Sequence, residues 1–165
     1  MTAEQIIDRF KMVPLEPEGG FISVSYTSGI LIPKEALPAR YSEPKALCGA
    51  ILYLITPERG SRMHRLPTDE LYHFYLGDPV EQLRLFEDGT GRIVRLGPDI
   101  LRGQEVQSLA PANCWQGTRL AEGGKFALLG TTMAPAWTEG DYEDGLRAEL
   151  AARYPEFEEE IIRRT

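Results

Sequence analysis

The alternation of apolar and polar residues divides most of the chain into short strands. Residues 21–26 alternate, which indicates a strand, and residues 46–55 are almost wholly apolar, which indicates a strand buried on both faces. The other strand candidates lie between turns rich in glycine and proline and span residues 70–76, 80–86, 92–96, 106–109, 115–118 and 126–133. Strands at this regular spacing predict an all-β sandwich or closed barrel.

Helical periodicity is confined to the two ends of the chain. Thr2 and Gln5 fit a capping box ahead of a short helix near residues 3–12. Residues 146–153 are strong helix formers, and Pro155 can open another short helix. We therefore expect a single domain over residues 1–165, made of an N-terminal helix and linker (1–17), a barrel (18–138) and an acidic helical tail (139–165).

Charge changes the list of possible partners. The chain has 18 Lys and Arg against 25 Asp and Glu, a net charge of −7, so a basic footprint for nucleic acid is absent. The tail, residues 139–165, holds nine acidic and four basic residues and thus −5 of this charge. We expect it to be a solvated helical segment rather than an acidic binding element.

Cysteine usage and hydropathy favour a cytoplasmic protein. Cys48 and Cys114 are far apart and show no CxxC spacing, which favours free thiols. No apolar run approaches the roughly 20 residues of a membrane span, and the first residues are not typical of a signal peptide. We predict no membrane partner.

The chain contains only two histidines, so one subunit cannot supply a three-histidine metal site. His64 lies in a segment that resembles the first motif of the cupin superfamily, which has a His-x-His pair, a Glu three or four residues later and a Gly after six more. His64, Glu70 and Gly77 match this motif, but Leu66 stands at the second histidine position.

Residues 111–116 fit the second cupin motif, with Asn113 in the glycine place and Gln116 in the histidine place. Asn tolerates the left-handed backbone conformation better than most residues. Of the four positions that bind metal in the superfamily, His64 and Glu70 remain, Gln116 is a weak substitute and Leu66 cannot ligate. We expect a divalent metal at His64, Glu70 and Gln116 only at low occupancy, and we predict no firm cofactor.

Three strings together resemble one single-domain family, often called cupin five and grouped as a domain of unknown function. They are residues 18–21, residues 64–79 and residues 111–116, and the resemblance extends from about residue 18 to 136 and into the tail. The resemblance implies a cupin double-stranded β-helix, that is, a jelly-roll barrel, and a homodimer. It implies little about activity, because a fold does not define a function.

His64 and Glu70 form the candidate catalytic pair, because a histidine with a carboxylate partner titrates usefully near neutral pH. Alternation along the strand places Glu70, Tyr72 and Phe74 on one face and His73 on the other. If Glu70 points into the barrel, Tyr72 and Phe74 line the cavity.

Four other residues are candidates for ligand binding. Gln116 suits a hydroxyl or carbonyl group, and Tyr26 lies on an early strand that runs beside the cavity in the family. Arg65 suits a carboxylate or phosphate, although a surface ion pair is the simpler interpretation. His73 fits a packed layer or a dimer interface as well as a catalytic role.

Three functions follow. The first is a barrel that binds a small polar, carbohydrate-like metabolite, with a possible isomerase or epimerase activity that removes a proton next to a carbonyl group. The second is a ligand-binding sensor or dimer without catalysis. The third is a weakly metal-binding cupin enzyme. Whether the protein is an enzyme stays open at this point.

Overall fold

Two antiparallel sheets face each other in the computed structural model, which describes all residues from Met1 to Thr165. The first sheet has the strand order β1-β2-β5-β12-β7-β10, the second has the order β13-β6-β11-β8-β9, and β3 pairs with β4 in a small third sheet. The strands are β1 Val13–Pro14, β2 Phe21–Thr27, β3 Leu31–Ile32, β4 Lys45–Ala46, β5 Gly49–Ile55, β6 Ser61–Arg65, β7 Glu70–Gly77, β8 Val80–Leu85, β9 Gly91–Leu96, β10 Gln107–Ala110, β11 Trp115–Leu120, β12 Ala127–Met133 and β13 Glu143–Asp144.

The helices lie outside the barrel. They are α1 Ala3–Phe10, α2 Arg147–Arg153 and α3 Glu158–Ile162, with short 3-10 helices at Lys34–Ala36, Ile100–Arg102, Glu139–Asp141 and Pro155–Phe157. The predicted capping box is present, since Thr2 and Gln5 exchange hydrogen bonds at the start of α1. No helix has both the length and the apolar character that a membrane crossing requires.

The main core lies between the two sheets. The first sheet contributes Tyr53, Ile55 and Tyr72, and the second contributes Val80 and Leu96, all at most 1% exposed. These residues alternate with outward-facing neighbours along each strand, as two-residue periodicity requires. The predicted all-β jelly-roll barrel with flanking helices is confirmed.

Two smaller clusters cover the outer faces of the sheets. Helix α1 packs Ile6 against Leu54 and Leu128 of the first sheet. On the second sheet, Leu150 of α2 joins a cluster with Leu83. The expectation of a solvated tail is therefore wrong for one face of the tail, because its apolar residues are buried on the barrel.

The two-residue strands β1, β3 and β13 were not predicted, and the longer strands need two corrections. Residues 46–55 form two strands rather than one, with a break at residues 47–48, and β5 is fully buried only over its last three residues. Strand β6 was not predicted, because residues 61–65 are mostly polar. The polar side chains are nevertheless accommodated, since His64 faces a polar network inside the barrel.

The start of the tail is tied to the barrel by a buried ion pair. Lys45 of β4 has no exposed side-chain surface, and its Nζ lies 2.7 Å from Oδ1 of Asp141. Asp141 also accepts a hydrogen bond from the backbone N–H of Thr138 at 3.0 Å. This contact fixes the segment that carries Trp137 and Thr138 beside the barrel opening.

Candidate functional site

A cavity of about 220 Å³ lies at one end of the barrel, between the first strands and the segment 136–138. Twelve of its 18 lining residues are hydrophobic, including Ile22, Val24 and Ile51. Glu18 and Glu70 are the only charged residues in the lining, which contains no lysine, arginine or histidine. The site is thus a mostly apolar pocket with two carboxyl groups.

Glu70 begins β7, where its register neighbours are Ala110 of β10 and Met133 of β12. Its side chain faces the barrel interior and the residue is only 6% exposed. Gln116 Nε2 donates a hydrogen bond of 2.7 Å to Glu70 Oε2, while Oε1 accepts no hydrogen bond. Burial raises the pKa of Glu70, and the nearby Glu18 carboxylate raises it further.

Glu18 is a site residue that the sequence interpretation did not assign. It precedes Gly19, whose φ of +105° and close approach to the backbone of Gly60 both require glycine. This turn directs Glu18 inward, where Oε1 accepts a 3.4 Å hydrogen bond from Ser61 Oγ and Oε2 accepts none. The sequence did contain a signal for Glu18. Within a string typical of the family, this acidic residue directly precedes a glycine-rich turn that leads into a strand.

His64 is fully buried on β6, in register with Gln116 of β11. Its Nδ1 lies 2.8 Å from the carbonyl oxygen of Arg62, and its Nε2 lies 3.4 Å from Gln116 Nε2 and 3.8 Å from Glu18 Oε1. Tyr142 from the tail stacks on the ring at 5.5 Å. His64 does not line the cavity, and the Gln116 amide lies between it and Glu70, so the expected pair is connected through an amide.

Tyr72 and Phe74 do not line the cavity, which corrects the expectation for them. Both face inward as the alternation from Glu70 predicts, but they pack in the main core, 1% and 9% exposed. Successive inward residues of a strand are more than 6 Å apart along its axis. The cavity at the Glu70 end therefore stops where the two aromatic rings fill the barrel.

The other predicted ligand-binding residues take different places. Tyr26 is 54% exposed and lines the cavity opening. Arg65 forms a bidentate ion pair with Glu143 (2.6 and 2.8 Å) and covers the Trp115 ring at 4.7 Å, so the simpler interpretation as an ion pair fits the structure. His73 lies on the outer face of the first sheet.

A chain of buried polar side chains crosses the barrel interior behind the cavity. It leads from Arg84 through Gln82 to Gln116, and Arg84 and Gln82 have no exposed surface. The sequence interpretation took residues 80–86 only as a strand. The signal was a charged and an amide residue two positions apart, which places both on one face of that strand.

Fold and site together define a jelly-roll barrel with a mostly apolar cavity at one end. The chain belongs to the family described as Cupin_5, Cupin superfamily (DUF985), whose model matches residues 4–144. The chain is similar over its whole length to a hypothetical protein from Leishmania major, with 27% identity, a TM-score of 0.88 and 99% of that chain covered. A protein from Shewanella oneidensis is similar at 26% identity and a TM-score of 0.87, with 100% and 98% of the two chains covered.

More distant similarity concerns the fold alone. Oxalate decarboxylase from Bacillus subtilis matches at 13% identity and a TM-score of 0.55, over 94% of this chain and 38% of that chain. None of the curated proteins compared matches this chain. Family membership supports a cupin that binds a small molecule, and it assigns no reaction.

The Bacillus decarboxylase has Mn(II) centres, so the donors at the corresponding positions here decide whether a metal fits. Leu66 offers no donor atom, and Gln116 turns its amide nitrogen, not its oxygen, toward His64 and Glu70. No group of three His, Cys, Asp or Glu side chains has a geometry that could hold a metal ion. The residues present do not fit the metal site of the superfamily.

Proposed function

We propose that the cavity binds a small molecule with an apolar body and a head group that donates hydrogen bonds. The observation that carries the proposal is the pair of buried carboxyl groups in an otherwise apolar lining. Glu18 accepts only a 3.4 Å hydrogen bond from Ser61 and Glu70 one of 2.7 Å from Gln116, so both carboxyl groups of the lining can accept a further donor from the cavity. A ligand with a donor head supplies it.

Cavity size limits the apolar body. An apolar protein cavity of about 150 Å³ holds benzene, and this cavity has about 220 Å³. It therefore accommodates a single ring, or an aliphatic group of equal volume, with a short polar arm. Such a ligand differs from the carbohydrate-like metabolite expected from the sequence, because the wall formed by Ile22, Val24 and Ile51 offers no partners for many hydroxyl groups.

Charge favours a cationic head. The lining holds two carboxyl groups and no basic side chain, so an anionic ligand meets like charge at low dielectric constant. A primary ammonium group donates three hydrogen bonds and offsets the carboxylate charge. We therefore expect affinity to decrease from amine to alcohol to carboxylate for ligands of the same shape.

Benzylamine, benzyl alcohol and benzoate form a matched probe series for this proposal. We expect titrations followed by protein NMR to show the tightest binding for benzylamine, at least about tenfold weaker binding for the alcohol, and none for benzoate. Glu70→Gln is expected to remove most of the preference for the amine. Benzoate binding as tightly as benzylamine would contradict the proposed head group.

A matched pair of variants locates the binding. Val24→Trp fills the opening of the cavity, and Val24 is 63% exposed, so the change should cost little stability. Ile30→Trp adds the same side chain at a site that is 62% exposed and outside the lining. Only Val24→Trp should abolish benzylamine binding. Equal binding by both variants would place the ligand elsewhere.

Proton transfer is a second candidate function of the same cavity. The raised pKa of Glu70 supports it, because a carboxyl group that titrates closer to neutral pH both donates and accepts protons there. Phenylacetone in D2O tests it by NMR. An isomerising site exchanges the protons next to the carbonyl group, and Glu70→Gln stops the exchange. A site that only binds leaves the ketone unchanged.

The homodimer remains a prediction.

A further inference from the structure

Arg84 is a buried cation inside the barrel that forms no ion pair with a carboxylate. Its Nε donates to Gln82 Oε1 at 2.7 Å, its Nη2 donates to Ser108 Oγ at 3.0 Å, and its Nη1 donates to the carbonyl oxygen of Leu109. Burial lowers the pKa of Arg84, yet a guanidinium remains charged in proteins. So costly a group is expected to have a function beyond filling space.

A guanidinium can only donate hydrogen bonds, and this determines which terminal atom is the oxygen in each of the amides beyond it. Two nitrogens of Arg84 contact the same terminal atom of Gln82, which must therefore be the amide oxygen. The other terminal atom of Gln82 is then the NH2 group, which lies 3.4 Å from Gln116 and 3.2 Å from Thr118 Oγ1. The Gln116 atom that accepts from it is likewise the amide oxygen.

The same constraint determines which end of the Gln116 amide faces the cavity. The Gln116 NH2 group faces Glu70 Oε2 at 2.7 Å and His64 Nε2 at 3.4 Å. His64 Nδ1 contacts the carbonyl oxygen of Arg62, which only accepts, so Nδ1 carries the proton of the neutral ring. Nε2 then presents a lone pair, and Gln116 has one N–H for each acceptor.

We propose that Arg84 is a positioning residue that fixes the direction of the amides of Gln82 and Gln116, so that the Gln116 NH2 group bridges His64 and Glu70 where a metal cation would otherwise bind. The site keeps a histidine and a carboxylate of the superfamily pattern, but a permanent donor stands between them. Metal is thus excluded because Arg84, on the other side of the barrel, sets the direction of these amides. The absence of a ligand atom at Leu66 adds to this effect.

Gln82→Glu reverses the direction of the hydrogen bond between residues 82 and 116 with almost no change in side-chain shape. The new carboxylate accepts from Arg84 with one oxygen and can only accept from Gln116 with the other. Gln116 must then rotate and turn its oxygen toward His64 and Glu70, which creates a site of three acceptors. We expect the affinity for Co²⁺ added alone to rise at least about tenfold over the unchanged protein by calorimetry.

Ser108→Asp is the matched control, since it adds the same charge on the other side of Arg84. Ser108 Oγ already accepts from Arg84 Nη2, so the aspartate replaces one acceptor by another and leaves the amide direction unchanged. We expect no gain in Co²⁺ affinity there. Equal gains in both variants would show that charge alone attracts the metal and would overturn the proposal.

Long-range 1H–15N NMR of the imidazole rings gives a readout that packing alone would not change. Two histidines make the spectrum simple, and His73→Gln assigns it. In the unchanged protein His64 should show protonated Nδ1 and unprotonated Nε2, and Arg84→Lys, which still only donates, should preserve this state. A protonated Nε2 in the unchanged neutral ring refutes the proposal even if no variant folds.

Discussion

Replacement of Lys45 by methionine tests how strongly the tail is held at the cavity opening. The side chains of Lys45 and Asp141 are 0% and 3% exposed, and Nζ contacts both carboxylate oxygens at 2.7 Å. Removing one partner of a buried pair leaves an uncompensated charge and costs about 3–5 kcal/mol. A domain of this size has about 5–15 kcal/mol in total, so Lys45→Met should fold with much reduced stability.

Urea unfolding at neutral pH, followed by circular dichroism, measures this free energy. Lys125→Met is the control, because Lys125 is exposed and forms no ion pair, and it should change stability by less than about 0.5 kcal/mol. The double variant Lys45→Met, Asp141→Leu should be more stable than either single variant, since no charge remains buried alone.

Loss of the pair should also release the segment that carries Trp137 and Thr138, both of which line the cavity. Fluorescence of Trp137 in a Trp115→Phe background reports this release at urea concentrations below global unfolding. If Lys45→Met lies within about 1 kcal/mol of the Lys125→Met control, or if the two single effects simply add, the ion pair does not hold the segment.

Three further predictions concern the site and the tail. Burial raises the pKa of Glu70, so the folded state retains this proton more strongly than the unfolded state, and stability falls as pH rises from the unfolded pKa toward the folded one. Glu70→Gln removes this loss, so its stability relative to the unchanged protein should improve as the pH rises above the unfolded pKa of Glu70 in urea unfolding; a constant difference would contradict the raised pKa. Leu66→His combined with Gln116→His restores the donor set of the superfamily and should confer calorimetrically measurable Co²⁺ binding; no binding would mean that the backbone positions are also unsuited. Leu150→Ala should cost about 2–5 kcal/mol because Leu150 is 3% exposed against the second sheet, whereas Leu146→Ala, at a site 53% exposed, should cost little; equal effects would mean that the tail is not packed on the barrel.

Strand periodicity predicted the barrel because inward and outward residues alternate in most strands. It failed at β6, where the inward His64 is polar and the outward Met63 is apolar. The rule assumes that the barrel interior is apolar, and here it contains a hydrogen-bonded network. The same assumption hid the role of Arg84, which alternation alone places inside.

The site was predicted in part. Motif spacing identified Glu70 as an inward carboxyl group and His64 and Gln116 as its neighbours. Spacing cannot show where a cavity ends, so Tyr72 and Phe74 were expected in the lining although they fill the core. Glu18 was not identified because its contact with Ser61 joins two residues that are 43 positions apart in sequence, which the spacing within one motif does not show.

Chemical-shift mapping with benzylamine tests the central claim most directly. Carbon-13 labels on the methyl groups of Ile22, Val24 and Ile51 and on the carboxyl group of Glu70 report the cavity wall and the polar end separately. The account predicts that benzylamine shifts all four signals together and that benzoate shifts none. Shifts confined to residues outside the lining, or a Glu70 signal that does not move while the methyl groups do, would contradict it.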